Sequence, residues 1–154
     1  MRSSDRRLPW PARSVIAGTA GTAVMTLAYS TERRLRPKHS GPLDYDDSLV
    51  PGQIVASIVH LPHVTGREEN ELGLALRGSY GSAFGVWHGV LRRTLGEPRA
   101  SAAFFATLMT ATLTLFPVLG RTPPPWRWPP SVMLTAVGTH AAYVGALAAV
   151  DDAL

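Results

Sequence analysis

The pattern of hydrophobic and polar positions in this chain is dominated by three long stretches without Asp, Glu, Lys or Arg. They are Ser14–Thr31, Ala100–Gly120 and Trp128–Val150, and together they cover 62 of the 154 residues. The last two are 21 and 23 residues long, and a helix needs about 20 apolar residues to cross a hydrocarbon core of about 30 Å. The pattern therefore predicts an integral membrane protein of all-α class.

A further apolar segment, Leu72–Leu91, is long enough to span a bilayer although it contains Arg77. The preceding Thr65–Glu68 has the spacing of a capping box, which favours a helix start there and a helix that runs to about Leu95. We therefore predict one membrane domain over residues 1–154, a polytopic four-helix transmembrane bundle. Its spanning helices are predicted at about 14–30, 72–92, 100–119 and 131–150.

The first of these helices has an alternative interpretation as a signal peptide. Its start is basic, and Ala28-Tyr29-Ser30 is a tolerable cleavage triplet. Gly18 and Gly21 lie at helical spacing, which suits close packing against another helix better than a disposable leader.

Two connecting segments also have a predicted place at the membrane surface. In residues 52–61 the apolar residues lie on one side of a helix and the polar residues on the other. The segment is too short to span a bilayer, so it predicts a short interfacial amphipathic helix. A re-entrant segment is the alternative. The proline-rich link 121–130 carries Trp126 and Trp128, which are placed for the aromatic belt at the headgroups. A proline motif that docks a partner domain is the alternative for this link.

The charge composition agrees with a membrane protein but does not give the orientation of its helices in the membrane. The chain has 14 Arg, one Lys and a formal net charge of +4, and arginines that flank apolar helices most simply meet lipid phosphates. No basic helix face or aromatic stacking motif accompanies them, so nucleic acid is not a predicted partner. The Arg-, Ala-, Gly- and Pro-rich composition resembles that encoded by a GC-rich bacterial genome. Positive charges are equally divided between the two sides of a four-helix topology, so the positive-inside rule does not decide the orientation.

Small residues form one face of two predicted helices. A doubled G-x-x-x-G at residues 81–89 makes such a face in the second helix, and the last helix repeats the arrangement. Positions without side chains let another backbone approach closely, so we expect these faces to pack inward and the opposite, bulky faces to meet lipid. The predicted packing residues are Gly78, Gly81, Gly85 and Gly89 in the second helix and Gly138, Ala142 and Gly145 in the last.

Three ionisable residues are the candidate functional side chains. Arg77 and His88 lie three turns apart on one face of the second helix, and His140 lies deep in the last. The functional interpretation is a polar track through the bundle for protons, an anion or a small solute. The structural interpretation has Arg77 extend to lipid phosphate, His88 hydrogen-bond near a helix end and His140 hydrogen-bond between helices.

Metal and cofactor sites receive less support. His60 and His63 have i, i+3 spacing, but Pro62 breaks the helix between them. The nearby acidic cluster lacks the Gly and bidentate Glu of an EF-hand. A haem between His88 and His140 is the one cofactor arrangement left open, and zero cysteines exclude disulfides and thiolate metal sites. No nucleophile elbow, P-loop or dinucleotide-binding fingerprint is present, so the sequence predicts no cofactor and identifies no enzymatic reaction.

Three glycine-rich segments resemble a known family. Gly78–Gly89 and Gly138–Gly145 resemble the Tyr-Gly-rich and His-containing helices of the YagU-like bacterial inner-membrane proteins, and Gly18–Met25 resembles the start of that family's first helix. The family is largely uncharacterised, so the resemblance implies a small polytopic inner-membrane protein and no particular activity.

Three functional hypotheses follow from these patterns. The leading one is a structural or accessory membrane protein that packs through small-residue faces with itself or within a larger complex. The alternative is a small transporter or channel subunit that uses Arg77, His88 and His140. A membrane enzyme is the third.

Overall fold

A computed structural model describes residues 8–35, 54, 67–119 and 123–154, with only the backbone described for 67–74. These residues form four α-helices and a single 3-10 turn, with no strand among them. The α-helices are α1 (Trp10–Leu35), α2 (Arg67–Leu95), α3 (Arg99–Leu119) and α4 (Pro130–Ala153), and the 3-10 turn is Pro125–Arg127. The predicted all-α class is confirmed, whereas the interfacial helix at 52–61 lies, except for Ile54, outside the described residues.

Helix α1 is longer than the charge-free stretch that predicted it. Helix α1 begins before Arg13 and continues through Glu32, because both side chains find partners on α4. Arg13 pairs with Asp151, and Thr135 donates a hydrogen bond to Glu32 Oε1 over 2.7 Å. A charge therefore marked the end of an apolar stretch without marking the end of a helix.

The four helices close into a ring in which α1 packs on α2 and α4, and α3 completes the ring between them. Phe104 of α3 is fully buried at the centre. Its ring centroid lies 5.3 Å from that of His88 and 5.9 Å from that of Tyr143, so it contacts α2 and α4 together. A buried aromatic side chain of this kind gains most of its stabilisation from dispersion contacts with its neighbours.

The closest approach in the bundle is between α1 and α2. A Cβ atom built on Gly18 would lie 2.6 Å from the Gly81 carbonyl oxygen and 2.9 Å from Gly85 Cα. One built on Gly85 would lie 2.7 Å from Gly18 Cα. Real Cβ atoms do not approach backbone this closely, so both positions require glycine.

The small-residue face of α2 is thus largely occupied by α1. Gly89 faces Ser14 and Trp10, and Gly81 faces Thr22. Gly78 has no atom within 4 Å of an added Cβ and takes no part in this contact. The inward orientation expected for α2 therefore describes three of its four glycines.

Helix α4 is oriented opposite to the expectation. Gly138 and Gly145 are exposed with no atom within 4 Å of an added Cβ, and Ala142 is half-buried. The bulky side, with His140 and Tyr143, is buried instead. The physical reason is that α1 supplies the small residue at this crossing: a Cβ on Gly21 would lie 2.8 Å from Tyr143 Cδ2.

Tyr143 also explains why the bulky side of α4 is favoured inside. Its hydroxyl donates a hydrogen bond to the Gly81 carbonyl over 2.7 Å. A buried phenol needs such a partner, and α2 offers an accessible carbonyl because Gly81 has no side chain to cover it. The Tyr143–Gly81 hydrogen bond and the packing of Tyr143 on Gly21 therefore together determine which face of α4 is buried.

The connection between α2 and α3 is a tight turn at Gly96. Gly96 has φ of +67°, a left-handed conformation that glycine adopts without steric cost. Its amide donates to the Arg92 carbonyl over 3.0 Å. This turn brings the end of α2 beside the start of α3.

We expect Gly85→Ala to destabilise the bundle by about 1–3 kcal/mol, because the added methyl group forces α1 and α2 apart. Gly145→Ala is the matched control. It adds the same methyl group in open space and should leave stability unchanged or raise it by roughly 0.5–1 kcal/mol through helix propensity. Unfolding by denaturant in detergent, followed by circular dichroism, measures both. Equal stability of the two variants would contradict the close α1–α2 contact.

Candidate functional site

The densest polar cluster lies at the end of the bundle where α1 and α3 begin and α2 and α4 end; we call it the charged end. The Asp151 side chain, only 6% exposed, accepts from Arg13 Nη2 at 3.2 Å and from Arg92 Nη1 at 2.6 Å. Arg13 also donates to the Asp151 backbone carbonyl, and Arg92 pairs with the more exposed Asp152. One buried carboxylate thereby joins three helices.

Sequence reasoning missed this cluster. Asp151 was visible only as an acidic residue just after an apolar stretch. In an up-and-down bundle the start of α1 and the ends of α2 and α4 lie at the same end of the bundle. This topology was the feature of the sequence from which the proximity of Arg13, Arg92 and Asp151 could have been predicted. Which arginine meets which carboxylate depends on helix rotation, which the sequence pattern does not fix.

His88 lies beside the charged end and is 1% exposed. Its Nε2 atom is 3.1 Å from Glu97 Oε1 and 3.2 Å from Ser101 Oγ. A Ser-His-acid triad uses the two ring nitrogens for the two partners, whereas here both partners meet the same nitrogen. His88 therefore ties α2 to the following turn and to α3, and the geometry does not activate Ser101.

His140 is engaged at both ring nitrogens. Nδ1 donates to the Ala136 carbonyl over 2.7 Å, which leaves Nε2 as the acceptor for the Thr112 hydroxyl at 3.2 Å. The result is a hydrogen bond between α4 and α3. With both nitrogens used, His140 has no free position for a haem iron or another metal.

Arg77 is directed towards α1. Its Nη1 atom donates to Thr26 Oγ1 over 3.4 Å. Within the described residues no hydrogen bond or ring contact joins Arg77, His88 and His140 to one another. The three candidate residues of the polar track thus form three separate contacts with different partners.

The two tryptophans of the proline-rich link have different environments. Trp126 is 83% exposed, as an interfacial anchor would be, but Trp128 is 8% exposed and packs with Val132 and Ala136. The Trp128 indole donates to the Pro123 carbonyl over 2.7 Å. Trp128 thus closes the end of the bundle core, and only Trp126 projects outward.

The described residues include a groove, but they contain no cluster of metal-ligating side chains. A groove of about 550 Å³ beside the end of α1 is lined by Ala28, Thr31, Glu32 and Leu35, a mostly apolar set with one carboxylate. No group of three or more His, Asp or Glu side chains suited to a metal occurs in the part of the chain that the structure describes. His60 and His63 lie outside that part.

Comparison of the chain with protein families, curated proteins and solved structures found no match. The resemblance to the YagU-like proteins therefore stays a prediction, based on Gly18–Met25, Gly78–Gly89 and Gly138–Gly145.

We expect Asp151→Asn to destabilise the protein by about 2 kcal/mol, because it leaves Arg13 and Arg92 partly buried without a carboxylate. The figure is below that for a fully buried pair because both arginines remain about one-quarter exposed. Asp152→Asn is the matched control, and its loss should stay below about 1 kcal/mol since Asp152 is 61% exposed. Denaturant unfolding in detergent compares them, and a larger effect at Asp152 would contradict the central place of Asp151.

Proposed function

We propose that the protein is a multi-pass integral membrane protein of the bacterial cytoplasmic membrane, with a structural or accessory role. Its four helices form the transmembrane bundle. The observation that carries the proposal is the outer surface of the bundle, on which every helix exposes large apolar side chains. Exposed large apolar side chains include Ile16 and Leu27 on α1, Phe84 and Trp87 on α2, Leu115 and Val118 on α3, and Leu134 and Val137 on α4.

Two of the described helices, α3 and α4, are long and apolar enough to cross a membrane. A core helix of a soluble protein passes the same test, but such a helix is mostly buried. In α3 only 22% of the most apolar window is buried. An apolar helix with this much exposed surface is stable in lipid and prone to aggregation in water.

Helices α1 and α2 are less apolar, and their spanning role in this proposal is supported by how their hydroxyl groups are satisfied. Thr19 donates to the Val15 carbonyl over 2.9 Å, and Ser79 donates to the Ala75 carbonyl over 2.9 Å. Because lipid offers no hydrogen-bond partners, an exposed hydroxyl in a membrane helix has to bond to its own backbone. These hydroxyls do so.

The contacts of Arg77, His88 and His140 favour the structural role over a transporter or channel subunit. Each side chain forms a hydrogen bond to a neighbouring helix or turn. Polar side chains in membrane bundles commonly link helices in this way. In addition, the glycine face of α2 is covered by α1, so its role is to hold this chain's own helices together.

A four-span topology predicts that Thr94 and Thr31 face opposite sides of the membrane. The chain contains no cysteine, so Thr94→Cys and Thr31→Cys each carry a single thiol at an exposed position. An impermeant maleimide should label one in right-side-out vesicles and the other only in inverted vesicles. Leu134→Cys, exposed within α4, is the control and should resist labelling from both sides. Labelling of Thr94→Cys and Thr31→Cys from the same side would contradict the topology.

Reconstitution separates the structural role from transport. We expect proteoliposomes to show no protein-dependent flux of protons, anions or small solutes, because the described contacts do not join the three polar residues. Flux that is abolished by Arg77→Ala would contradict the structural proposal and support the transporter. Alkaline carbonate extraction of the same membranes tests integral insertion separately.

A further inference from the structure

The charged end contains two cations that the ion-pair cluster does not use. Asp151 and Asp152 are engaged by Arg13 and Arg92, and Glu97 is engaged by His88. Arg93 and Arg99 are exposed, and within the described residues neither pairs with a carboxylate. Among the described residues, the exposed charges of Arg93 and Arg99 are therefore not paired with an acidic side chain.

Arg93 is held in place by Trp10. The Arg93 guanidinium carbon lies 5.2 Å from the centre of the Trp10 ring, within the range of a cation–π interaction. Trp10 is itself fixed against α2, since a Cβ on Gly89 would lie 3.3 Å from Trp10 Cε3. Because Gly89 and Arg93 are one helical turn apart, they share the face of α2 that Trp10 covers.

We propose that Arg93, held over Trp10, and Arg99 bind the phosphate of an anionic phospholipid headgroup. A guanidinium offers several N–H donors in the plane that suits phosphate oxygens. This inference rests on the proposed membrane function, and it goes further by naming the lipid class and the residues that select it.

The neighbouring groups favour an anionic over a zwitterionic headgroup. A choline or ethanolamine cation would need a carboxylate or an open aromatic face. Among the described carboxylates at the charged end, Asp151 and Asp152 are already engaged by arginines and Glu97 by His88. The Trp10 ring is already covered by Arg93. A phosphodiester with an uncharged alcohol, as in phosphatidylglycerol, meets the arginines without bringing a second cation.

Lipid titration of the purified full-length chain tests this. Native mass spectrometry in neutral detergent should show binding of phosphatidylglycerol and much weaker binding of phosphatidylcholine or inorganic phosphate. The double variant Arg93→Gln/Arg99→Gln should bind phosphatidylglycerol roughly 25-fold more weakly, at about fivefold for each arginine lost near a lipid surface. Arg93→Lys, which keeps the charge without the planar fork, should fall between wild type and the double variant.

The matched control is Arg34→Gln/Arg127→Gln, which removes two exposed arginines at the opposite end of the bundle. It loses the same net charge and should keep most of the phosphatidylglycerol binding. Equal weakening in both double variants, unchanged binding in Arg93→Gln/Arg99→Gln, or binding of inorganic phosphate as tight as that of the lipid would overturn the inference.

Two measurements on the same preparations distinguish loss of the lipid site from loss of folding or of membrane insertion. Circular dichroism should show equal helicity in all variants, because neither Arg93 nor Arg99 forms an ion pair within the described part of the chain. Insertion into liposomes reports on the proposed membrane function. Protein that inserts but shows no preference for phosphatidylglycerol contradicts the lipid site alone, whereas protein that fails to insert contradicts the membrane proposal.

Discussion

The contact on which the rest of the bundle depends is the close backbone approach of α1 and α2 at Gly18, Gly81 and Gly85. Dispersion between closely packed atoms supplies attraction at such a contact, and it falls off within fractions of an ångström. The absence of side chains at these three positions allows the approach. It also exposes the Gly81 carbonyl, which then accepts the hydrogen bond of Tyr143 from α4. One glycine thereby serves the packing of α2 on α1 and the orientation of α4.

The two ends of the bundle are fixed by polar contacts of different character. At the charged end a single buried carboxylate, Asp151, joins arginines from α1 and α2. At the other end the contact is a neutral donor on a carboxylate, Thr135 on Glu32. Between them lie Phe104 and the His140–Thr112 hydrogen bond, which attach α3. The polar residues inside the bundle are therefore distributed as links between helices, and this distribution is what favours a structural role.

Particular residues show how far sequence reasoning reached. The doubled G-x-x-x-G indicated a packing face, and Gly81, Gly85 and Gly89 do face α1. The same rule gave the wrong face for α4. A small residue allows a close approach only where a neighbouring helix packs its backbone or a large side chain against it, and none does so at Gly138 or Gly145. At the α1–α4 crossing the small residue is Gly21 and the large one is Tyr143, so the bulky side of α4 turns inward. The pattern of one helix does not say which of two helices supplies the space.

The sequence by itself determined the helical class, the number of long helices in the described residues and their places along the chain, since these follow from local periodicity and charge content. It also indicated which residues were polar within apolar surroundings. The tertiary structure alone decided the rotation of each helix about its axis, and with it the pairing of Arg13 and Arg92 with Asp151, the contact of Arg77 with Thr26, and the covering of Trp10 by Arg93. Rotation depends on the fit of two surfaces that are distant in sequence. For that reason the chemistry at the charged end became visible only when the helices were packed together.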